Sequence, residues 1–179
     1  DGNLANGNAN DGLRADLTAD LSQLPAEGMT LTGTAAAHAV LTGTIEHPLV
    51  DGTIDTKNAT VRAPQMTEAI AFTTNVTFSQ NQFDIRSMRA EIAGGHVDVE
   101  GHGILKGPAT LAFHAADIHP EALLKNRPIS GTITADGTAS LPDASLRGAS
   151  GEVSISQLAL LVHDTEIHQA EPVRLTLKD

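Results

Sequence analysis

Apolar and polar residues alternate along most of this chain of 179 residues. In the stretch 29–45 every second residue is apolar or glycine, and most of the residues between them are threonine. Because successive side chains of a β-strand point to opposite faces, this period of two predicts strands with one apolar and one polar face. The stretch 13–21 alternates in the same way. The spacing of its leucines also fits a helix, but the unbroken alternation favours a strand.

A short motif of glycine, a hydroxyl residue and one aliphatic residue recurs along the chain. It occurs at 31–34, 41–45, 51–54 and 129–133. The longer stretches that begin at Gly33 and Gly131 share an order of glycines, aliphatic residues and a proline turn, so they form a degenerate internal repeat. Repeats that cannot bury their own apolar face stack into elongated arrays. The pattern therefore predicts a long antiparallel sheet.

Turn signals separate the strands in the middle of the chain. The sequence at 79–82 predicts a hairpin turn, and Gly94-Gly95 predicts another. The alternation slips by one residue between Ile85 and Met88, which predicts a β-bulge. The best helix candidate is 120–126, with a proline at its start and an asparagine at its end. We therefore expect an all-β fold with at most one or two short helices.

The composition changes this picture in one respect. Apolar residues make up 40% of the chain, but aromatic residues only 2%, with no Trp, no Tyr and four Phe. Large aromatic side chains usually fill the centre of a β-sandwich, since each of them buries a large area. Here aliphatic residues have to fill that role. This favours a sheet with a smooth aliphatic surface over a dense globule.

Charge and cysteine content exclude several classes of function. The formal net charge is −11, so binding to nucleic acid or to anionic headgroups through a basic patch is not expected. The lack of cysteine excludes disulfides, cysteine-zinc sites and a cysteine nucleophile. No run approaches the ~20 apolar residues that cross a bilayer. Since the chain begins at Asp1 with neither a methionine nor a signal sequence, we expect a segment of a longer protein.

Catalytic and metal-binding motifs are weak throughout. His96 and His102 lie on the same face of one predicted strand, but six residues at ~3.3 Å each place them about 20 Å apart. The glycine-rich stretch 101–107 lacks the Gly-Lys-Ser/Thr ending of a phosphate-binding loop, and 148–151 is not a complete nucleophile elbow. We therefore expect no catalytic residue, no metal site and no cofactor.

The apolar residues of the alternating stretches form a candidate wall. On a paired strand, residues of equal parity share a face. The candidate wall residues are Leu31, Leu41, Ile45, Phe72, Phe78, Val97, Val99, Phe113, Ile133 and Val153. In a closed barrel or sandwich these side chains pack on each other, whereas in an open sheet they face a ligand. The pattern alone fits both.

Several motifs resemble the TamB family, within the wider AsmA-like group of envelope proteins. They combine a glycine-aliphatic strand, a proline turn and a second glycine-aliphatic strand. They lie at 41–54, at 83–101 with Gly94-Gly95 inside it, and at 115–124 leading into 127–131. The resemblance covers most of residues 29–179.

The resemblance implies both a fold and a function. The fold is an elongated, open antiparallel half-pipe, like a β-taco, with an apolar concave face. Residues 1–179 are then a single β-rich segment, with an N-terminal strand and turns at 1–28 and a degenerate β-repeat body at 29–179. The family's proteins are anchored in the inner membrane of diderm bacteria and extend into the periplasm. They are implicated in phospholipid transport between the membranes and in outer-membrane protein assembly with a barrel partner, TamA. The family has no catalytic residues.

Two other functions stay open at this point. One is a structural β-solenoid spacer or adhesin-like module whose interior is filled by its own side chains. Such solenoids usually show a strict short period, which this chain lacks. The other is a docking module that binds an outer-membrane barrel protein through an exposed strand edge.

Overall fold

The computed structural model of the protein describes residues 12–24, 28–44, 46–64, 66, 68–123, 129–143 and 148–177. The strands are β1 (Leu13–Asp20), β2 (Thr30–Gly43), β3 (Pro48–Arg62), β4 (Ile70–Ser79), β5 (Gln82–Ile92), β6 (Gly95–Ile104), β7 (Ala109–Ile118), β8 (Ile129–Leu141), β9 (Ser150–Val162), β10 (Thr165–His168) and β11 (Val173–Leu177). In the described part of the chain, the helical elements are single turns at Leu21–Gln23 and Pro120–Leu123. The expected all-β fold is confirmed.

All eleven strands belong to one antiparallel sheet. Its order follows the sequence from β1 to β10, and β11 pairs with β9 beside β10. Short turns join most successive strands, and this favours antiparallel pairing of sequence neighbours. The sheet is not closed, because within the described ranges β1 pairs only with β2, while β10 and β11 pair only with β9. The prediction of an open, elongated antiparallel sheet is therefore confirmed.

The two segments with helical signals have different structures. β1 is a strand, as the alternation predicted, and pairs with β2 along its whole length. It ends where Asp20 Oδ1 accepts a hydrogen bond of 2.9 Å from Ser22 N, and this hydrogen bond lowers the pKa of the Asp20 carboxyl. The predicted helix at 120–126 is present from Pro120 to Leu123. Its remaining residues lie outside the described ranges.

One of the two predicted hairpin turns is confirmed, and the other lies one residue away from its predicted position. β4 ends at Ser79 and β5 begins at Gln82, so the turn predicted at 79–82 is confirmed. The second turn is Ala93-Gly94, with φ of 56° and 83°, rather than Gly94-Gly95. Gly95 instead begins β6, where a Cβ would collide with the carbonyl oxygen of Ala116. The prediction therefore placed this turn one residue too far toward the C-terminus.

One extra residue is inserted into every second strand of the sheet. The slip predicted between Ile85 and Met88 is a bulge in β5, because these two residues are opposite Gly101 and Val99 of β6. Equivalent shifts occur in β3, β7 and β9. A bulge of this kind bends its strand and increases the local twist.

The bulges keep the apolar residues on one side of the sheet. In β7, Ala115 and Ile118 are three positions apart, yet they pair with Ala135 and Ile133 of β8, which are two apart. The extra residue reverses the parity of β7 at this point, so apolar side chains on both sides of the bulge share a face. The Thr134 hydroxyl accepts a 3.4 Å hydrogen bond from the bulged amide of Asp117.

The sheet forms a single layer. Among the described residues, the buried apolar side chains are Leu21, Pro120 and four alanines, at 59, 63, 90 and 135. No large side chain in these ranges is fully buried. A closed barrel or a sandwich would cover the large apolar residues on both sides. One face of this sheet is therefore left without a second layer over it.

Gln169 holds the broken edge of the sheet together. It lies between β10 and β11, and its Nε2 donates hydrogen bonds of 3.2 and 2.9 Å to the carbonyl oxygens of Ile155 and Ser156 in β9. Its backbone amide donates to the Leu158 carbonyl at 3.2 Å. The side chain thus supplies donors where the strand that pairs with β9 is interrupted. These bonds set the position at which β11 begins.

We expect Gln169→Ala to loosen β11. The variant loses two side-chain hydrogen bonds and exposes two carbonyl groups, which costs about 1–2 kcal/mol of local stability. Hydrogen exchange of the β11 amides should accelerate by about tenfold, whereas amides of β6 should be unaffected. Gln157→Ala, at an exposed position of β9, is the matched control. Unchanged exchange in β11 would contradict this role.

Candidate functional site

The register of the sheet brings the candidate wall residues onto one face. Val99 is opposite Phe113, and beyond it lie Gly137 of β8 and Val153 of β9. Phe72 and Val97 are joined in the same way through Ala90 of β5. The same pairing includes Leu31, Leu41, Phe78 and Ile133. Ile45 lies outside the described residues. We call this face the apolar wall and the opposite one the polar face.

The apolar wall runs along the sheet as continuous rows that cross the strands. One row contains Ala59, Phe72, Ala90, Val97, Ala115, Ala135, Ile155 and Val173. A second contains Met88, Val99, Phe113, Gly137, Val153 and Leu175. With strands about 4.8 Å apart, the ordered path of ten strands spans about 43 Å.

Charged residues are confined to the polar face wherever the described strands pair, and Arg86 and Asp117, at the bulges of β5 and β7, have no partner in the register. The polar residues of the wall are threonines, at 56, 74 and 165. Thr56 uses its hydroxyl to accept a 2.9 Å hydrogen bond from Thr74 N. The wall therefore offers almost pure apolar contact.

The sequence prediction missed many residues of the wall. They share the parity of the predicted ones once each bulge is taken into account. They include Leu13, Leu17, Ile54, Val61, Val76, Phe83, Ile85, Met88, Leu111, Ile155, Leu158, Leu160, Leu175 and Leu177. The signal that identifies most of them is plain alternation within their own strands, and the shift in β9 after Ile155 places Leu158 and Leu160 on the same face.

The wall is most open at its two ends. Leu17 of β1 is 65% exposed, and Leu177 of β11 is 62% exposed. Most apolar side chains between them are half-buried, because each is flanked by side chains of two neighbouring strands. Apolar surface in water is unfavourable by roughly 25 cal/mol per Å². The wall therefore provides a driving force for an apolar ligand or partner.

The polar face carries hydrogen-bonded pairs of a histidine or an arginine with a carboxylate, most of them across neighbouring strands. His38 Nδ1 lies 2.6 Å from Asp16 Oδ1, and His114 is bound to Asp136 by the same atoms at the same distance. Arg89 donates to Glu91 at 3.0 Å and to Asp98 at 3.3 Å. The hydrogen bond to Glu91 is the main cause that raises the pKa of the Arg89 guanidinium. Exposed pairs of this kind contribute little to stability, because solvent screens them.

The histidines of the polar face include one neighbouring pair, since the rings of His96 on β6 and His114 on β7 have centroids 6.3 Å apart. His96 lies 3.4 Å from Asp98, whereas His102 is near the other end of β6, opposite Asp84. Within the described ranges, no three His, Asp or Glu side chains have the arrangement of a metal site. A depression of about 1000 Å³ is open to solvent and lined mainly by the polar face, including Asp51, Asp84 and His102.

Comparison with protein-family models, curated proteins and solved structures finds no match for this chain. The resemblance to TamB therefore rests on the motifs at 41–54, 83–101 and 115–131. In the described part of the chain, neither helical turn has the length or hydropathy to span a membrane.

The two faces can be distinguished by single cysteines, since the chain has none of its own. We expect a polarity-sensitive fluorophore at Val97→Cys or Val99→Cys to shift to shorter wavelength when dodecyl maltoside micelles are added. The same label at Asp98→Cys or Glu100→Cys should shift much less, because neighbouring residues face opposite sides. Equal shifts at all four positions would contradict the assignment of the wall.

Proposed function

We propose that this chain is a non-enzymatic, periplasmic segment of a TamB-like protein that is anchored to the inner membrane of a diderm bacterium. Its apolar wall acts as a hydrophobic groove for phospholipid transport between the inner and outer membranes, and it supports outer-membrane protein assembly. The observation that carries this proposal is the wall itself, which crosses all eleven strands without a charged side chain among its described, register-paired residues.

The chemistry of the wall favours acyl chains as the ligand. It offers aliphatic and phenyl surface with almost no hydrogen-bonding group, so a polar ligand would lose its hydration without compensation. An acyl chain gains about 0.8 kcal/mol for each methylene that leaves water. The rows of the wall run along the sheet, so a chain lying parallel to them contacts several strands at once. The headgroup of a phospholipid can stay in water at the open side.

The cellular context of the proposal comes from the TamB resemblance. In that family the segment lies in the periplasm, and the partner is an outer-membrane barrel protein of the TamA type. The acidic polar face, with its exposed carboxylates, suits a segment whose outer surface is in water. The absence of a catalytic role is part of the proposal.

Two observations bear on the alternative functions. A β-solenoid spacer would fill its interior with its own side chains, and this does not fit a single-layered sheet with few buried apolar residues among those described. The docking module keeps specific support, because β1 at one end and β10 with β11 at the other leave strand edges open in the described sheet. An unpaired edge accepts a further strand through its backbone groups.

The proposal predicts that lipid contacts only one face of β6. A photo-crosslinking residue placed at Val97 or Val99 should capture phospholipid in cells that make the protein. The same residue at Asp98 or Glu100 should capture little or none, because those side chains belong to the polar face. Lipid would be identified by mass spectrometry of the purified adduct. Equal capture of lipid at all four positions would refute the groove.

A charge placed in the wall tests transport separately from folding. We expect Val99→Arg to be made at normal levels, because the long side chain can bend out to water at the open side. It should nevertheless fail to support outer-membrane integrity, since an unpaired charge facing acyl chains costs at least several kcal/mol. Glu100→Arg, on the polar face of the same strand, is the control. Both variants would be scored by immunoblot and by sensitivity to vancomycin and detergent.

The outcomes separate the function classes. Degradation of Val99→Arg with a normal level of Glu100→Arg would indicate a packed core and support the spacer. A stable Val99→Arg protein with normal function would count against the conduit.

A further inference from the structure

All four phenylalanines of the chain lie on the apolar wall, and three of them face a glycine on the neighbouring strand. The cross-strand pairs are Phe78 with Gly52, Phe83 with Gly103 and Phe113 with Gly137. The fourth, Phe72, is flanked by Ala59 and Ala90, which are 1% and 7% exposed. Every aromatic ring of the wall is therefore paired with one of the smallest residues.

The rings extend over their glycine partners. Phe113 Cζ is 2.5 Å from the position that a Cβ on Gly137 would occupy, and its Cε1 is closer still. The corresponding distance is 2.9 Å from Phe83 Cε1 to Gly103 and 2.6 Å from Phe78 Cζ to Gly52. A ring that occupies this space lies along the sheet rather than upright on it. Each glycine thus makes room for the ring beside it.

We propose that these glycines set the depth of the groove. With the rings lying flat, the wall stays low enough along its rows for an unbranched acyl chain to lie across them. A methyl group beneath a ring would force it to stand up into the groove, where it would obstruct the ligand. This inference rests on the proposed function, since it assigns the specificity of the same wall to its Phe–Gly pairs.

Gly137 is the position where this can be tested most cleanly. Its φ is outside the left-handed region, so alanine is compatible with the backbone. The two atoms nearest to an added Cβ belong to the Phe113 ring, and the next is the Glu152 carbonyl oxygen at 2.9 Å. At Gly52 and Gly103, by contrast, the atom nearest to an added Cβ is not in a ring but is the His38 carbonyl oxygen and the Ala109 Cβ, respectively. In Gly137→Ala the ring is therefore the main group that has to move.

The experiment measures binding of cis-parinaric acid, a fluorescent linear fatty acid, to the purified 179-residue chain. We expect Gly137→Ala to bind about tenfold more weakly than the wild type, because overpacking lifts the ring into the ligand's path. The double variant Phe113→Ala/Gly137→Ala should bind within about threefold of Phe113→Ala, since no ring is left to lift. Thr138→Ala, the next residue on the polar face, is the control. Circular dichroism and thermal unfolding of each variant report its folding.

The outcomes distinguish this inference from the function on which it rests. If the wild type does not bind the fatty acid, the proposed function fails and the inference fails with it. If the wild type binds and Gly137→Ala binds equally well, the inference is overturned and the groove stands. If Gly137→Ala does not fold, recovery of both folding and binding in the double variant supports the ring as the obstacle. A double variant that stays unfolded would assign Gly137 to backbone packing and overturn the inference.

Discussion

The fixed side-chain period of a β-strand is the constraint on which the rest of this structure depends. A strand places successive residues on opposite faces, so one misplaced residue transfers all the following apolar side chains to the wrong side. This chain keeps one face apolar through eleven strands. It does so with strictly alternating strands, such as β6, and with bulged strands, such as β5, whose apolar residues change parity at the bulge. The separation of an apolar wall from a charged face follows from this.

The alternation made the sheet, its antiparallel pairing and one shared face predictable, because all of these follow from local periodicity. Ile85 and Met88 revealed one bulge for the same reason. Ala115 and Ile118 carry the same signal, but no bulge was predicted between them, so Ile118 was not assigned to the wall. The pairing of Phe113 with Gly137 was not predictable, since it depends on the register of two strands about 24 residues apart rather than on local pattern.

The single layer gives the chain an unusual energy balance. Most domains cover their apolar residues with a second layer, but here the described residues include few buried side chains, and four of those are alanines. Stability therefore depends on the backbone hydrogen bonds of the ladder and on lateral contacts between side chains of neighbouring strands. Any apolar molecule that covers the wall adds to this stability by mass action. Occupancy of the wall and folding are thus coupled.

The alternation of regular and bulged strands also defines the step by which such a sheet can change in length. Its unit is a hairpin with one regular and one bulged strand, as in β4 with β5 and β8 with β9. Duplication of a whole hairpin during evolution preserves the chain direction and the face of every later residue, and it lengthens the wall by about 10 Å. Insertion of a single strand reverses the direction of everything that follows. Sheets of this type are therefore expected to grow and shrink in pairs of strands, so that the distance they span is set in discrete increments.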